Sequence, residues 1–253
     1  MSISSIKIIK VLNKLKPLIR QKFDTILEEY NGLSTQYKID QSPVTKLDIF
    51  ISNLFKEHFL QEFPQLNFYS EEDQGSFSYP LCILDPVDGT KELVAGIPEW
   101  VVSFGIYQTD LIADVRNYSW IYNPVTGFEI SSDTLICEGE RNIGLQNHQG
   151  MVSRTEYKEG DYSYLKNKMD LIPVGSIAYK LALLASGQGG YVLSKRDKNV
   201  WDILAGTHIC AANGLLCYQK NGQLLRIQKE LYKADFLWCK KENTGALDFI
   251  IEK

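Results

Sequence analysis

The chain has 253 residues, enough for one large domain or two modest ones and too many for a disulfide-stapled mini-protein. Hydrophobic residues at 44%, charged residues at 23%, 18 Gly and 8 Pro are the proportions of a globular protein and exclude a disordered or fibrous chain. A net charge of −4 supplies no general basic field, which disfavours a nucleic-acid polymer as partner and leaves small charged ligands as the better fit.

Residues 3–29 place Ile6, Ile9, Leu12, Leu15, Ile19, Phe23, Ile26 and Leu27 at three- and four-residue intervals, which predicts an amphipathic helix. Its other face is basic, with Lys7, Lys10, Lys14, Lys16, Arg20 and Lys22. Peripheral contact with anionic lipid is open to such a helix, but packing on its own domain is the expected role. No uninterrupted apolar core of a signal peptide precedes it, and nowhere do about 18 apolar residues run together, so a cytoplasmic location is expected.

Residues 31–43 read as a loop, and a second helix is predicted from Thr45 to Phe63 with Asp48 near its start. The apolar runs Leu66–Tyr69 and Leu81–Leu84 read as buried strands ending in acidic segments, SEED at 70–73 and DPVDGT at 85–90. Alternation over 101–130 predicts antiparallel strands, and the aperiodic stretch Glu138–Gln149 marks a boundary. Two domains follow, an α+β domain over 1–140 and an α/β domain over 141–253. In the second, strands at 150–154, 171–175 and 190–194 alternate with helices at 156–169, 176–187 and 201–213, and strands near 214–218, 223–227 and 235–239 close the sheet.

The five cysteines contain no C-x-x-C pair and read as free thiols; with three histidines and no G-x-S-x-G elbow, the chemistry falls to carboxylates. In LCILDPVDGTKEL, Pro86 restrains the backbone between Asp85 and Asp88, whose hard oxygens suit Mg²⁺. The backbone N–H groups of Gly89, Thr90 and Lys91 open the next helix and are placed to meet a phosphate. An acidic turn with Asp88 as a helix cap is the alternative for this hexapeptide alone. Glu71-Glu72 and Asp202 are each ordinary as surface acids or caps. Together with Asp85 and Asp88 they could hold two divalent ions about 3.5–4 Å apart.

The set PVTKLD (43–48), SEED (70–73), LDPVDGT (84–90) and NVWDILAG (199–206) resembles, in order and spacing, the inositol monophosphatase superfamily of Mg²⁺-dependent, lithium-sensitive phosphomonoesterases. The resemblance covers nearly the whole chain and implies a layered α-β-α-β-α sandwich with its site in a cleft between the two halves. It implies Asp48, Thr90 and Glu71 as catalytic groups, the Asp48–Thr90 dyad helping to activate a water, without a covalent phosphoenzyme. It also implies Glu71, Asp85 and the Val87 carbonyl as ligands of one Mg²⁺, and Asp85, Asp88 and Asp202 as ligands of a second. Glu71 would reach a third, weaker ion.

Within the superfamily, KIDQSPVTKLD (38–48) and DPVDGTKEL (85–93) are similar to the CysQ-type 3′(2′),5′-bisphosphate nucleotidases. Lys195, Arg196 and Lys198, shortly before Asp202, would suit the second phosphate of adenosine 3′,5′-bisphosphate. A solvated basic loop, or an acidic sugar contact through Asp197, is the alternative there. An inositol phosphate is the alternative substrate, and a catalytically silent ligand-binding homologue is less favoured. Gly89, Thr90, Gly175 and Ser176 are expected to face the small phosphorylated substrate, whereas Tyr179, Lys180 and Tyr191 read as packing, with the lining of a base or ring pocket as the alternative. The segment 108–120 departs from the small-residue pattern expected there. The resemblance also allows a homodimer.

Overall fold

The computed structural model describes residues 3–30, 35–37, 43–133, 144–165, 167–219, 222–229 and 231–247. In chain order the elements are α1 (Ser5–Tyr30), β1 (Thr35–Tyr37), β2 (Pro43–Thr45), α2 (Lys46–Glu62), β3 (Asn67–Ser70), β4 (Leu81–Asp88), α3 (Thr90–Val94), β5 (Val101–Tyr107), β6 (Tyr118–Tyr122) and β7 (Glu129–Ser131). They continue with β8 (Gly150–Ser153), α4 (Arg154–Lys158), β9 (Leu171–Val174), α5 (Ile177–Ala185), β10 (Tyr191–Ser194), α6 (Val200–Ala212), β11 (Leu216–Gln219), β12 (Gly222–Gln223) and β13 (Phe236–Cys239). One sheet has the order β3-β4-β5-β6-β7, the other β12-β11-β13-β10-β8-β9, and β1 pairs with β2 alone. Both large sheets are mixed: β3–β4 is parallel in the first, and β8 runs parallel to β9 and β10 in the second.

The layers follow from strand alternation. On β4, Cys82 and Leu84 join the core beneath α1 and α2, while Leu81 and Ile83 turn to the core that contains α5 and α6. Val102, Phe104 and Ile106 of β5 and Trp120 of β6 repeat the first side; Val101, Tyr107 and Ile121 repeat the second. In the other sheet, Met151, Val192, Phe236 and Trp238 face α5 and α6, and Val152, Leu193 and Leu237 face Tyr162 and Leu165 on the outside. Period-two side chains thus make each sheet a partition between two apolar cores. The result is the expected layered α-β-α-β-α sandwich, with α5 and α6 as its central layer.

Several boundaries differ from the expectation. The helix expected over 156–169 is only the five-residue α4, followed by a 3-10 turn at Ser163–Leu165: Gly160 has φ +88°, and the buried Tyr162 hydroxyl turns back to Glu156 and to Leu193 O. The strand expected over 223–227 is the two-residue β12, and Arg226 bridges instead to Leu111. Within the loop expected over 31–43, residues 35–37 pair with 43–45; the remainder, and residues 134–143 of the expected boundary, lie outside the described residues. In the unusual segment at 108–120, Arg116 pairs with Asp114 before β6 begins. On α1, Ile8, Val11, Leu12, Leu15, Ile19, Phe23 and Ile26 are buried while Ile6 is 79% exposed. Its basic face is partly tied to the protein, Lys16 to Glu129 at 2.7 Å and Arg20 to Pro124 O at 2.6 Å. Among the described residues no helix is long and apolar enough to cross a membrane. Cys82, Cys210, Cys217 and Cys239 are free and buried; Cys137 lies outside the described residues.

Candidate active site

A cleft of about 310 Å³ between the two sheets is lined by Glu71, Asp85, Asp88 and Asp202 along with Gly89, Thr90 and Ser176. The chain brings the acids there by three local devices. On β4, residues three apart would fall on opposite faces of a regular strand. The register with β5 shifts between Asp85, opposite Ser103, and Asp88, opposite Val101, so one extra residue sits in the bulge and both carboxylates reach the same cleft. The expected turn after β4 is therefore a bulge inside a strand that continues to Asp88. Gly89 follows with φ +99°, a backbone that favours glycine, and a Cβ there would stand 3.0 Å from Glu99 O and 3.1 Å from Trp100 Cβ.

Asp48 and Asp202 arrive by helix capping. Asp48 Oδ2 accepts from Thr45 N at 2.8 Å and from Thr45 Oγ1 at 2.5 Å, and Oδ1 lies 3.4 Å from Thr90 Oγ1. Thr90 Oγ1 is also 3.0 Å from Val87 O. Asp202 Oδ2 accepts from Asn199 N at 2.7 Å. Asp88 is gripped on Oδ2 alone, by Ser176 Oγ and Ala178 N, both at 2.5 Å. Glu71 enters at the end of β3, its N–H bonded to Leu84 O at 3.2 Å.

Desolvation and mutual repulsion dominate the electrostatics. Burial pushes Asp48 up to about 6 in spite of its bonds to Thr45. Asp85 is held well above the usual carboxylate range by burial and then by Glu71, Asp88 and Asp202. Burial raises Asp88, against the lowering effect of Ser176, Ala178 and Lys180. Burial, then Asp88 and Glu71, push Asp202 up to about 8. Among the described residues no three His, Cys, Asp or Glu side chains stand together closely enough to hold a metal ion by themselves; the carboxylates line one cleft instead. Such a set suits Mg²⁺, which takes few carboxylates and completes its shell with water and phosphate. A cation there would offset the repulsion that raises these groups.

The expected substrate contacts are distributed unevenly. Ser176 and Gly175 line the cleft, but the Gly175 N–H expected to face substrate donates to Glu99 Oε2 at 2.6 Å, and Glu99 pairs with Arg154. Arg196 lines the cleft and pairs with Glu159 and Asp161; Lys198 lines it beside Glu156 at 3.4 Å. Lys195 pairs with Asp235 and lies 5.9 Å from the centre of the Tyr164 ring. Asp197, also in the lining, pairs with Lys233 at 2.9 Å.

One lining residue, Glu156, carries no site signal in the sequence, and a second, Lys180, carries only a weak one. Glu156 is buried and accepts from Ser194 Oγ at 3.1 Å and Lys195 N at 2.9 Å, so it ties the end of β10 to the cleft wall. Lys180, read from its spacing as packing, is buried at the cleft floor, and burial brings its ammonium down to about 8. The one available signal was a lysine inside an otherwise apolar helix, IAYKLALLA.

The profile of the "Inositol monophosphatase family" matches residues 8–247. The chain is 26% identical over 225 residues to the 3′(2′),5′-bisphosphate nucleotidase CysQ of Buchnera aphidicola subsp. Acyrthosiphon pisum, covering 81% of this chain and 83% of that protein. In fold it is similar to the Thermotoga maritima IMPase, with a TM-score of 0.72 at 20% identity over 95% of each chain. It is also similar to an IMPase/NADP phosphatase complexed with Mg²⁺ and phosphate, with a TM-score of 0.70 at 18% identity over 97% of this chain and 94% of that one.

Proposed function

This chain belongs to the inositol monophosphatase family, a family of phosphatases, and on that premise we propose that it is a Mg²⁺-dependent phosphomonoesterase acting on the 3′-phosphate of adenosine 3′,5′-bisphosphate or a similar small phosphorylated substrate. The observation that carries the reading is the convergence of Glu71, Asp85, Asp88 and Asp202 on one cleft beside Gly89 and Thr90. Glu71, Asp85, Asp88, Asp202 and the Val87 carbonyl would hold two or three Mg²⁺ ions. When bound, they supply Lewis acidity for the attacking water and the leaving oxygen.

The remaining steps belong to the chain's own groups. Thr90 has no basicity of its own, but its hydroxyl donates to one acceptor at a time, Val87 O or Asp48 Oδ1, and so turns a lone pair towards a water in the cleft. Asp48, held on Oδ2 by Thr45, keeps Oδ1 directed at Thr90. Gly89 and Thr90 N–H groups would bind the reacting phosphate, and Arg196 and Lys198 a second one, exchanging their present acidic partners for it. In this reading residues 1–140 supply most of the carboxylates and residues 141–253 supply Asp202 and the substrate wall. Lithium sensitivity and a cytoplasmic location belong to the same reading.

A second reading, an inositol or other polyol phosphate, is favoured by the rest of the wall. Ser153, Thr155 and Ser194 bear hydroxyls, and among the described lining residues no aromatic ring offers a platform for a base. Initial phosphate release from adenosine 3′,5′-bisphosphate and inositol 1-phosphate, with and without Mg²⁺, decides between them. Mg²⁺-dependent preference for the nucleotide is the expected result; preference for the inositol phosphate keeps the site and replaces the substrate. No release from either would favour a silent homologue. Asp88→Asn should leave the fold intact and lower turnover by orders of magnitude, and unchanged turnover would remove the metal assignment.

A further inference from the structure

We propose that Lys180 is a positioning residue for Asp88: its ammonium group clamps the Val174–Ser176 turn, and that turn holds the carboxylate facing the metal site. The inference rests on the reading of Asp88 as a metal ligand. Lys180 is 2% exposed, and its Nζ donates to three consecutive carbonyls, Val174 O at 3.1 Å, Gly175 O at 3.2 Å and Ser176 O at 2.8 Å. An ammonium has three protons. All three are committed to the backbone, so Lys180 lines the cleft without a donor left for substrate.

The turn it grips needs holding. Ser176 has φ +46° and ψ 125°, a conformation that L side chains rarely adopt and that persists only where surrounding contacts impose it. Three carbonyl dipoles aimed at one point also repel one another unless a cation stands between them. On the opposite side of the same turn, the Gly175 N–H is fixed by Glu99. So anchored, the turn directs Ser176 Oγ and Ala178 N onto a single oxygen of Asp88, Oδ2, and leaves Oδ1 as the oxygen for a cation. A carboxylate held by one oxygen has the direction of the other set for it.

The test is Mn²⁺ binding by calorimetry to the metal-stripped full-length protein, which reads the site without turnover. Lys180→Met keeps the length of the side chain and removes every donor. Its Mn²⁺ affinity should fall at least tenfold, and in assays kcat should fall with little change in KM and recover partly at high Mg²⁺. Ser176→Ala should weaken Mn²⁺ similarly, and the double variant should be no worse than the weaker single variant, because both act through one turn. Lys180→Gln, which restores part of the donor set without charge, should lie between Lys180→Met and wild type; it also serves if Lys180→Met does not fold. A folded Lys180→Met that lowers only the metal-free melting temperature and binds Mn²⁺ as wild type does, or losses that multiply in the double variant, would overturn the inference. A wild-type protein that binds no Mn²⁺ removes the metal reading itself and this inference with it, a result distinct from binding that ignores Lys180.

Discussion

Helices α2 and α6 begin with the same device, an Asp three residues beyond the cap that accepts the cap's backbone N–H: Asp48 from Thr45 at 2.8 Å, Asp202 from Asn199 at 2.7 Å. Their charges nevertheless fare differently. Burial is the largest cause of both shifts; Asp48, offset by bonds from the Thr45 hydroxyl and N–H against weaker repulsion from Glu71 and Glu72, rises to about 6, whereas Asp202, with the cap N–H and the repulsion of Asp88 and Glu71, rises to about 8. The bodies of the helices diverge as well. α2 buries one face, with Leu47, Ile51, Phe55 and Phe59, while α6 is buried almost all round from Val200 to Cys210 because it lies between the two sheets. A capping motif is a local property of a few residues; what its carboxylate costs the protein depends first on how deeply the fold buries it and then on which other acids it places beside it.

The largest effect that tests this contrast is on turnover. Asp202→Asn and Asp48→Asn should each lower kcat by about 10²–10⁴-fold, one by weakening metal binding and the other by releasing Thr90. Their effects on metal-free stability should separate. Both folded-state pKa values lie above the ordinary 3.8, so each group costs the native state stability that accumulates as pH rises from about 3.8, is complete above about 8 for Asp202 and above about 6 for Asp48, and is absent below 3.8. Melting curves at pH 9 in EDTA should therefore show Asp202→Asn raising the midpoint more than Asp48→Asn does. Equal shifts would show that the fold does not distinguish the two caps.

The next effect belongs to the body of α6. His208 is buried against Ser119 Oγ at 2.9 Å, which in turn meets the Tyr107 hydroxyl at 2.9 Å. Burial lowers its pKa from 6.5 to about 4, so the unfolded chain takes a proton that the native protein refuses between those values. Stability present above pH 6.5 should drain away towards pH 4, by up to about 3 kcal/mol. Urea unfolding of wild type and His208→Phe at pH 7 and pH 5 measures it: the loss of stability on going to pH 5 should be smaller in His208→Phe than in wild type.

Packing gives smaller changes. A Cβ on Gly206 would stand 2.6 Å from Leu181 Cβ and Cδ1, so Gly206→Ala should force α5 and α6 apart at a cost of about 1–3 kcal/mol. On α2, Ile49 is 48% exposed, and Ile49→Lys should stay within about 0.5 kcal/mol of wild type. Chemical denaturation of the pair asks directly whether only one of these helices has a solvent face.

Much of this was legible in the chain. The apolar spacing of α1 and α2, the alternation of β5 and β6 and the acidic ends of β3 and β4 are local patterns, and local patterns survive folding when burial rewards them. The helix expected over 156–169 failed because Tyr162 gains more from the buried Glu156 than a polar helix gains from propensity. The basic trio before α6 reads as a contact for a second phosphate or as a solvated basic loop, yet Lys195, Arg196 and Lys198 each meet an acid from elsewhere in the chain: Asp235, Glu159 with Asp161, and Glu156.

By itself, then, the sequence determined which acids meet in the cleft: DPVDGT and WDILAG supply Asp85, Asp88 and Asp202, and their order along the chain sets which elements carry them. Only the tertiary structure decided how those acids stand. Residues 85 and 88 share a face because a bulge forms against β5, and Asp88 is held on one oxygen because a turn from the second half, gripped by Lys180, packs across it. Contacts between residues so far apart in sequence leave no periodicity to read; they exist once the sheets and the central helices have been packed against one another.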